Sequence, residues 1–273
     1  MKPLLLGALA AYVVAAIHIV LAFINKRRSV ERTASVSLAA GFALHTAALA
    51  LDWVQDGHYP LFGLRETLSF LAWTLVVAYA LALYRYGAKA LGTLTLPLVC
   101  VLLTVAALAR DGGEAPAAAG AVTEGVAWWL FPVHTTLLIF SYASFFVVFA
   151  ASVMYLWQER ELKLKTFSAF FHRLPSLSTV DDIGQTAAGV GFTLLSLGII
   201  TGVVWSSARS GRLWHNDPKE VFALLTWLLY LTMIHYRAQW RGRKAAWVGV
   251  AGFALVVFTF LGTRLMGGYH VFG

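Results

Sequence analysis

Residues 1–28 read MKPLLLGALAAYVVAAIHIVLAFINKRR, an apolar run that ends on a cluster of cations. As a helix, the run is long enough to cross the hydrocarbon core of a bilayer, which takes roughly 20 apolar residues. It is too long for the apolar stretch of a cleaved leader, and its strong charges follow the run instead of preceding it. A retained span with its N-terminus outside is expected. The pattern recurs along nearly all 273 residues, of which 59% are hydrophobic and only 12% charged. Soluble domains carry about 25% charged residues. The expected fold class is an all-α, polytopic membrane helical bundle of about eight spans, forming a single transmembrane domain over 1–273. The spans are read at about 4–24, 34–54, 67–86, 91–109, 133–157, 183–205, 219–239 and 246–266.

The formal charge of +8 is read as a cationic membrane face, with lipid and not nucleic acid as its neighbour. The connections after spans one, three, five and seven hold Lys26, Arg27, Arg28, Arg32, Arg85, Lys89, Arg160, Lys163, Lys165, Arg173, Arg237, Arg241, Arg243 and Lys244. The positive-inside rule puts that side in the cytoplasm and both termini outside, in a bacterial inner membrane facing a periplasm. Cys100 is the only cysteine, so no intramolecular disulfide or thiolate metal cage is possible. Residues 110–125 are Gly/Ala-rich and read as a flexible outer loop. Residues 162–174 mix cations with phenylalanines and read as a short amphipathic surface helix.

Histidines and one loop carry the chemistry. His134 opens span five, next to Trp128 and Trp129, and His270 follows span eight at the same expected level outside. Between them lies SARSGRLWHNDPKEVFALLTW, residues 207–227. Two imidazoles converging across a gap suit axial ligation of an iron porphyrin. Trp214, Trp128 and Trp129 offer flat surfaces, and Arg209, Arg212 and Lys219 can neutralise two propionates. A structural reading stands beside this one. Each histidine can be a neutral imidazole bonded to a neighbouring helix, and tryptophans favour membrane interfaces without any ligand. Asp217, Pro218 and Glu220 also make a good helix start, as N-cap, first-turn proline and capping-box acid. His18, His45 and His235 fall within spans, where ionisable groups mark a site by default. By depth, His18 pairs with His235, which lies about 22 Å along its helix from Glu220.

WSSARSGRLWHNDPKEVFALLTWLLYLTMIHYR, 205–237, resembles the tryptophan-rich haem-handling segment of the cytochrome c assembly family, of the Ccs/Ccm type. VHTTLLIFSYASF, 133–145, resembles the stretch with that family's first external histidine. FALHTAAL, HYRAQWRGRKAAWVGVAGF and FLGTRL look like the smaller YpjD- and HemX-like branch. The resemblance implies His134 and His270 as external ligands of the haem iron and His235 as an intramembrane histidine that meets haem. It implies His45 in place of His18 as the inner partner. Gly211, Trp214, Asp217, Pro218, Lys219 and Glu220 match a WWD-like signature loop, while Ser210 and Asn216 stand where the family places two further tryptophans.

The expected function is binding b-type, non-covalent haem and presenting it at the outer face to assist cytochrome c biogenesis. Other assembly subunits or an apocytochrome are the expected partners. The alternative is a HemX-like regulator of tetrapyrrole synthesis working through 159–182 and 237–244, followed by an ion-transport accessory. No acid–base pair or activated nucleophile can be assigned from spacing, so a stand-alone enzyme is not expected.

Overall fold

The computed structural model describes residues 2–24, 27–57, 59, 61, 63–109, 129–166, 168, 171–236 and 239–262. These form eight α-helices: α1 Lys2–Ile24, α2 Arg28–Asp56, α3 Leu64–Tyr86, α4 Gly92–Leu108, α5 Leu130–Leu164, α6 Leu177–Ser210, α7 Pro218–His235 and α8 Arg243–Val257. A π turn, Phe258–Gly262, continues α8. Seven helices are long and apolar enough to cross a membrane. The fold is therefore that of an all-α, multi-pass membrane protein. The exception among the expected spans is α7, with 18 residues that begin on Pro218, Lys219 and Glu220 and end on His235. The expected outer loop at 110–125 lies outside the described residues.

Span five outruns its sequence reading. Its helix reaches Leu164 because Gln158, Glu159, Arg160, Glu161 and Lys163 are all good helix formers. Lys165 stops it by adopting φ 54°. Beyond the stop, the buried Glu161 carboxylate accepts from Ser168 N at 3.1 Å and from Ser168 Oγ at 2.7 Å. The amphipathic helix expected over 162–174 is accordingly replaced by the end of α5 and a 3₁₀ turn at Phe171–Arg173.

The chain divides into two compact units. The first holds residues 1–113 and 160–175. In it, α1 packs against α2 and α4, and α3 against α4. Its core is built on Tyr12, His45, Leu75, Tyr79, Leu96 and Leu103, all essentially sealed from solvent. Arg173 donates from Nη1 to the carbonyl of Ala22 at 2.8 Å, tying the 160–175 segment to the end of α1.

The second unit holds residues 114–159 and 176–273. Here α5 and α6 run antiparallel, with Ser141 Oγ donating to Gly191 O at 3.0 Å and His134 meeting Gly198 seven residues along each helix. Phe145 stacks on Tyr230 of α7 with centroids 3.7 Å apart and planes 12° from parallel. Phe149 stacks on Phe253 of α8 at 4.9 Å. These contacts need bare backbone opposite them, because helices associate in lipid through close packing and not through a hydrophobic force. A Cβ on Gly191 would lie 2.6 Å from the Phe145 ring, whereas one on Gly189 would meet nothing within 4 Å. Gly191→Val is thus expected to destabilise this unit by about 1–3 kcal/mol. Gly189→Ala should be neutral or raise stability by about 0.5–1 kcal/mol. Thermal unfolding of the two variants in detergent checks the contrast.

Candidate functional site

The turn between α6 and α7 is set by its own polar side chains. Gly211 ends α6 at φ 69°, a left-handed conformation costly to residues with a Cβ, and its N–H bonds Ser207 O at 2.9 Å. Asn216 adopts φ 57° and accepts from Trp214 Nε1 at 2.8 Å. Asp217 is the N-cap of α7, with Pro218 in the first turn and Glu220 completing a capping box. Asp217 Oδ1 accepts from Lys219 N at 2.8 Å, and Glu220 Oε2 accepts from Asp217 N at 3.3 Å. Glu220 also accepts from His215, through Oε2 from the backbone N–H at 2.9 Å and through Oε1 from Nδ1 at 3.3 Å.

This geometry sorts the charges. Both acids are spent on backbone and imidazole N–H groups, with Asp217 only 4% exposed and the Glu220 side chain 15%. Arg209 and Arg212 are exposed, and the Arg209 guanidinium lies 5.5 Å from the centroid of the buried Trp205 ring. Trp214 is 45% exposed. The turn thus presents arginine and indole outward and keeps its carboxylates inside, which favours an anionic, flat partner.

His134 lies on α5 with its ring against α6. Its Nδ1 is 2.7 Å from the Gly198 carbonyl oxygen, and the ring occupies the space that a side chain on Gly202 would fill. A carbonyl only accepts, so Nδ1 carries the proton and the lone pair is on Nε2. That is the tautomer in which imidazoles ligate metals, with the second nitrogen anchored to a backbone carbonyl. Nearby, Phe131 packs on Trp205 at 5.4 Å. Gly202 is about 13 Å along α6 from Gly211 at roughly 1.5 Å per residue. His134 and the 211–216 turn therefore belong to the same end of this unit.

The remaining expected residues are dispersed. His45 is fully buried in the first unit. Its Nε2 is 3.0 Å from Ser69 Oγ and its Nδ1 is 3.5 Å from Tyr12 Oη. His18 bonds back to the Val14 carbonyl of its own helix at 2.8 Å. His235 is exposed at the far end of α7, edge-on to Tyr236 at 5.0 Å. Trp129 is exposed just before α5. His270 and Trp128 lie outside the described residues. Among those described, no group of three or more His, Cys, Asp or Glu side chains is set to hold a metal ion. Sequence reasoning passed over His215, whose partners Ser206 and Ser210 are one helical turn apart on α6. That i, i+4 spacing beside a capping box was the available signal.

Residues 61–270 match the family described as Cytochrome C assembly protein. Among similar proteins is the cytochrome c biogenesis protein CcsA of Synechococcus sp. (strain RCC307), 29% identical over 99% of this chain and 96% of that protein. The CcsA of Prochlorococcus marinus (strain MIT 9303) is 30% identical over 99% of this chain and 94% of its own length. That of Chlamydomonas reinhardtii is 34% identical over 82% of this chain, which spans 64% of the algal protein.

The cap at Asp217 makes a separable prediction. Asp217→Ala should lower stability by about 0.5–2 kcal/mol, whereas Asp217→Asn, which still caps, should cost only a few tenths. Thermal unfolding of the purified variants distinguishes the two outcomes.

Proposed function

This chain belongs to the cytochrome c assembly protein family, and from that premise we propose that it binds haem in the bacterial inner membrane and presents it at the outer face for cytochrome c biogenesis. The observation that carries this reading is the His134–Gly198 hydrogen bond. It orients an imidazole with its lone pair on Nε2, at the end of the unit that also carries an exposed Trp214 and outward arginines. In this proposal His134 and His270 would hold the haem iron, with both termini outside.

The donor set fits b-type haem held non-covalently by two imidazoles. Haem supplies the iron they ligate and the vinyl groups to which the cysteine thiols of an apocytochrome are joined. The chain's own residues bind and orient. His134 holds the metal side through a ring anchored on Gly198. Trp214 offers its face to the macrocycle. Arg209, Arg212 and Lys219 pair with the propionates, while Asp217 and Glu220 accept from N–H groups within the turn. Gly211 lets the backbone turn sharply enough to set Trp214 beside them. His45 and His235, each in its own unit, are further histidines proposed to meet haem. Ligation through His45 requires one of its two hydrogen bonds to be exchanged for iron, and the 3.5 Å contact with Tyr12 is the weaker. Apocytochrome and other assembly subunits are the partners this role calls for.

Protein purified from haem-replete cells is expected to show the Soret and α/β bands of a bis-imidazole haem. His134→Ala and His270→Ala should each strongly weaken them. Gly202→Val, which pushes the ring off its carbonyl, should lower haem affinity by roughly 10–100-fold. A wild-type protein without a Soret band under the same conditions overturns the reading.

A further inference from the structure

His215 is the most heavily engaged side chain of the turn, and nothing in the haem reading uses it. Its side chain is only 8% exposed. Nε2 is 2.9 Å from Ser210 Oγ, and Nδ1 is 3.3 Å from both Ser206 Oγ and Glu220 Oε1. The Glu220 carboxylate only accepts, so the ring donates to it through Nδ1, and Nε2 pairs with the Ser210 hydroxyl. The single Ser210 Oγ–H is shared between His215 Nε2 and Ser206 O, 2.8 Å away, and Oγ accepts from Arg212 N at 3.3 Å. One imidazole therefore joins the last turn of α6 to the first turn of α7. The residues on either side of it are Trp214 and Asn216, and Trp214 is bonded to Asn216.

We propose that His215 is a positioning residue: it clasps Ser206 and Ser210 to Glu220 and so fixes where Trp214 and Arg212 are held for an anionic, aromatic ligand. The proposal rests on the haem reading for the identity of that ligand but not for the clasp. The clasp spans the whole turn in three side-chain hydrogen bonds, whereas the backbone bond from Gly211 to Ser207 and the capping box each hold only one end. Without the ring, Glu220 still caps α7, so α7 persists and the turn alone loosens. His215 does not touch the ligand, because its ring is turned into the protein.

The test uses full-length protein in detergent, with haemin as the probe and trypsin as a reporter of the turn. His215→Ala should weaken haemin binding, followed by Soret absorbance and tryptophan quenching, by roughly five-fold, in line with the loss of a hydrogen bond or two. It should also speed tryptic cleavage after Arg212 in the absence of haemin. Ser210→Ala should do the same to a smaller extent, and the double variant should lose less than the product of the two single losses, because the two share one contact. His215→Gln, whose amide can still bridge donor and acceptor, should recover part of both effects and serves as the variant of record if His215→Ala does not fold. Unchanged haemin affinity and unchanged cleavage in these variants, or losses that simply multiply in the double variant, overturn the proposal. Wild-type protein that takes up no haemin overturns the haem reading alone, and the cleavage rates then decide whether the clasp exists.

Discussion

Hydrocarbon offers no hydrogen-bond partners, and this structure is organised around that deficit. Backbone groups satisfy themselves within helices, the only open-ended structure that can do so in lipid. Polar side chains follow the same rule. Thr46 bonds Phe42 O at 2.8 Å, Ser144 bonds Phe140 O at 2.9 Å, and Thr193 bonds Gly189 O at 3.0 Å, each reaching back one turn on its own helix. Trp227 Nε1 instead finds its partner on another helix, at Ser196 Oγ 2.8 Å away, whereas the buried Tyr230 hydroxyl has none among the described residues. His134 obeys this constraint when it bonds Gly198. The same bond that satisfies its Nδ1 away from water leaves the lone pair of the neutral ring on Nε2.

Small residues make such contacts reachable. Gly202 leaves the space on α6 that the His134 ring fills, Gly198 leaves room for Leu138, and Gly191 does the same for Phe145 further along. Aromatic stacking then locks α7 and α8 onto α5 through Tyr230 and Phe253. This end of the unit is thereby built on long, closely packed helices, with the seven residues 211–217 between α6 and α7 outside them. Rigid helices that carry a short specialised turn are the arrangement that keeps a binding geometry constant.

The helices were legible because hydropathy is a strong signal over twenty residues. Their ends were not, since the charged, helix-favouring run 158–163 extends α5 past the bilayer's apolar limit. The α7 start was legible from DPKE, because capping is a local rule. The packing of His134 was not, as its partners Gly198 and Gly202 lie far along the chain and glycine carries no mark of what rests on it. The same holds for His45, whose neighbours Tyr12 and Ser69 belong to two other helices. His215 was hidden for a different reason. Its spacing beside the capping box was a signal, but the contact also needs the left-handed backbone at Asn216, which brings the ring back onto α6.

Helix α6, with 34 residues, is about 51 Å long at roughly 1.5 Å per residue, against a hydrocarbon thickness of about 30 Å. Its ends consequently stand in the headgroup layer or beyond. The 211–216 turn is lifted out of oil into a zone crowded with phosphate esters and water. There its arginines are never idle, since phospholipid headgroups compete for them with any other acid. An acid that binds at this turn would therefore do so in competition with anionic headgroups, and more so in leaflets rich in them.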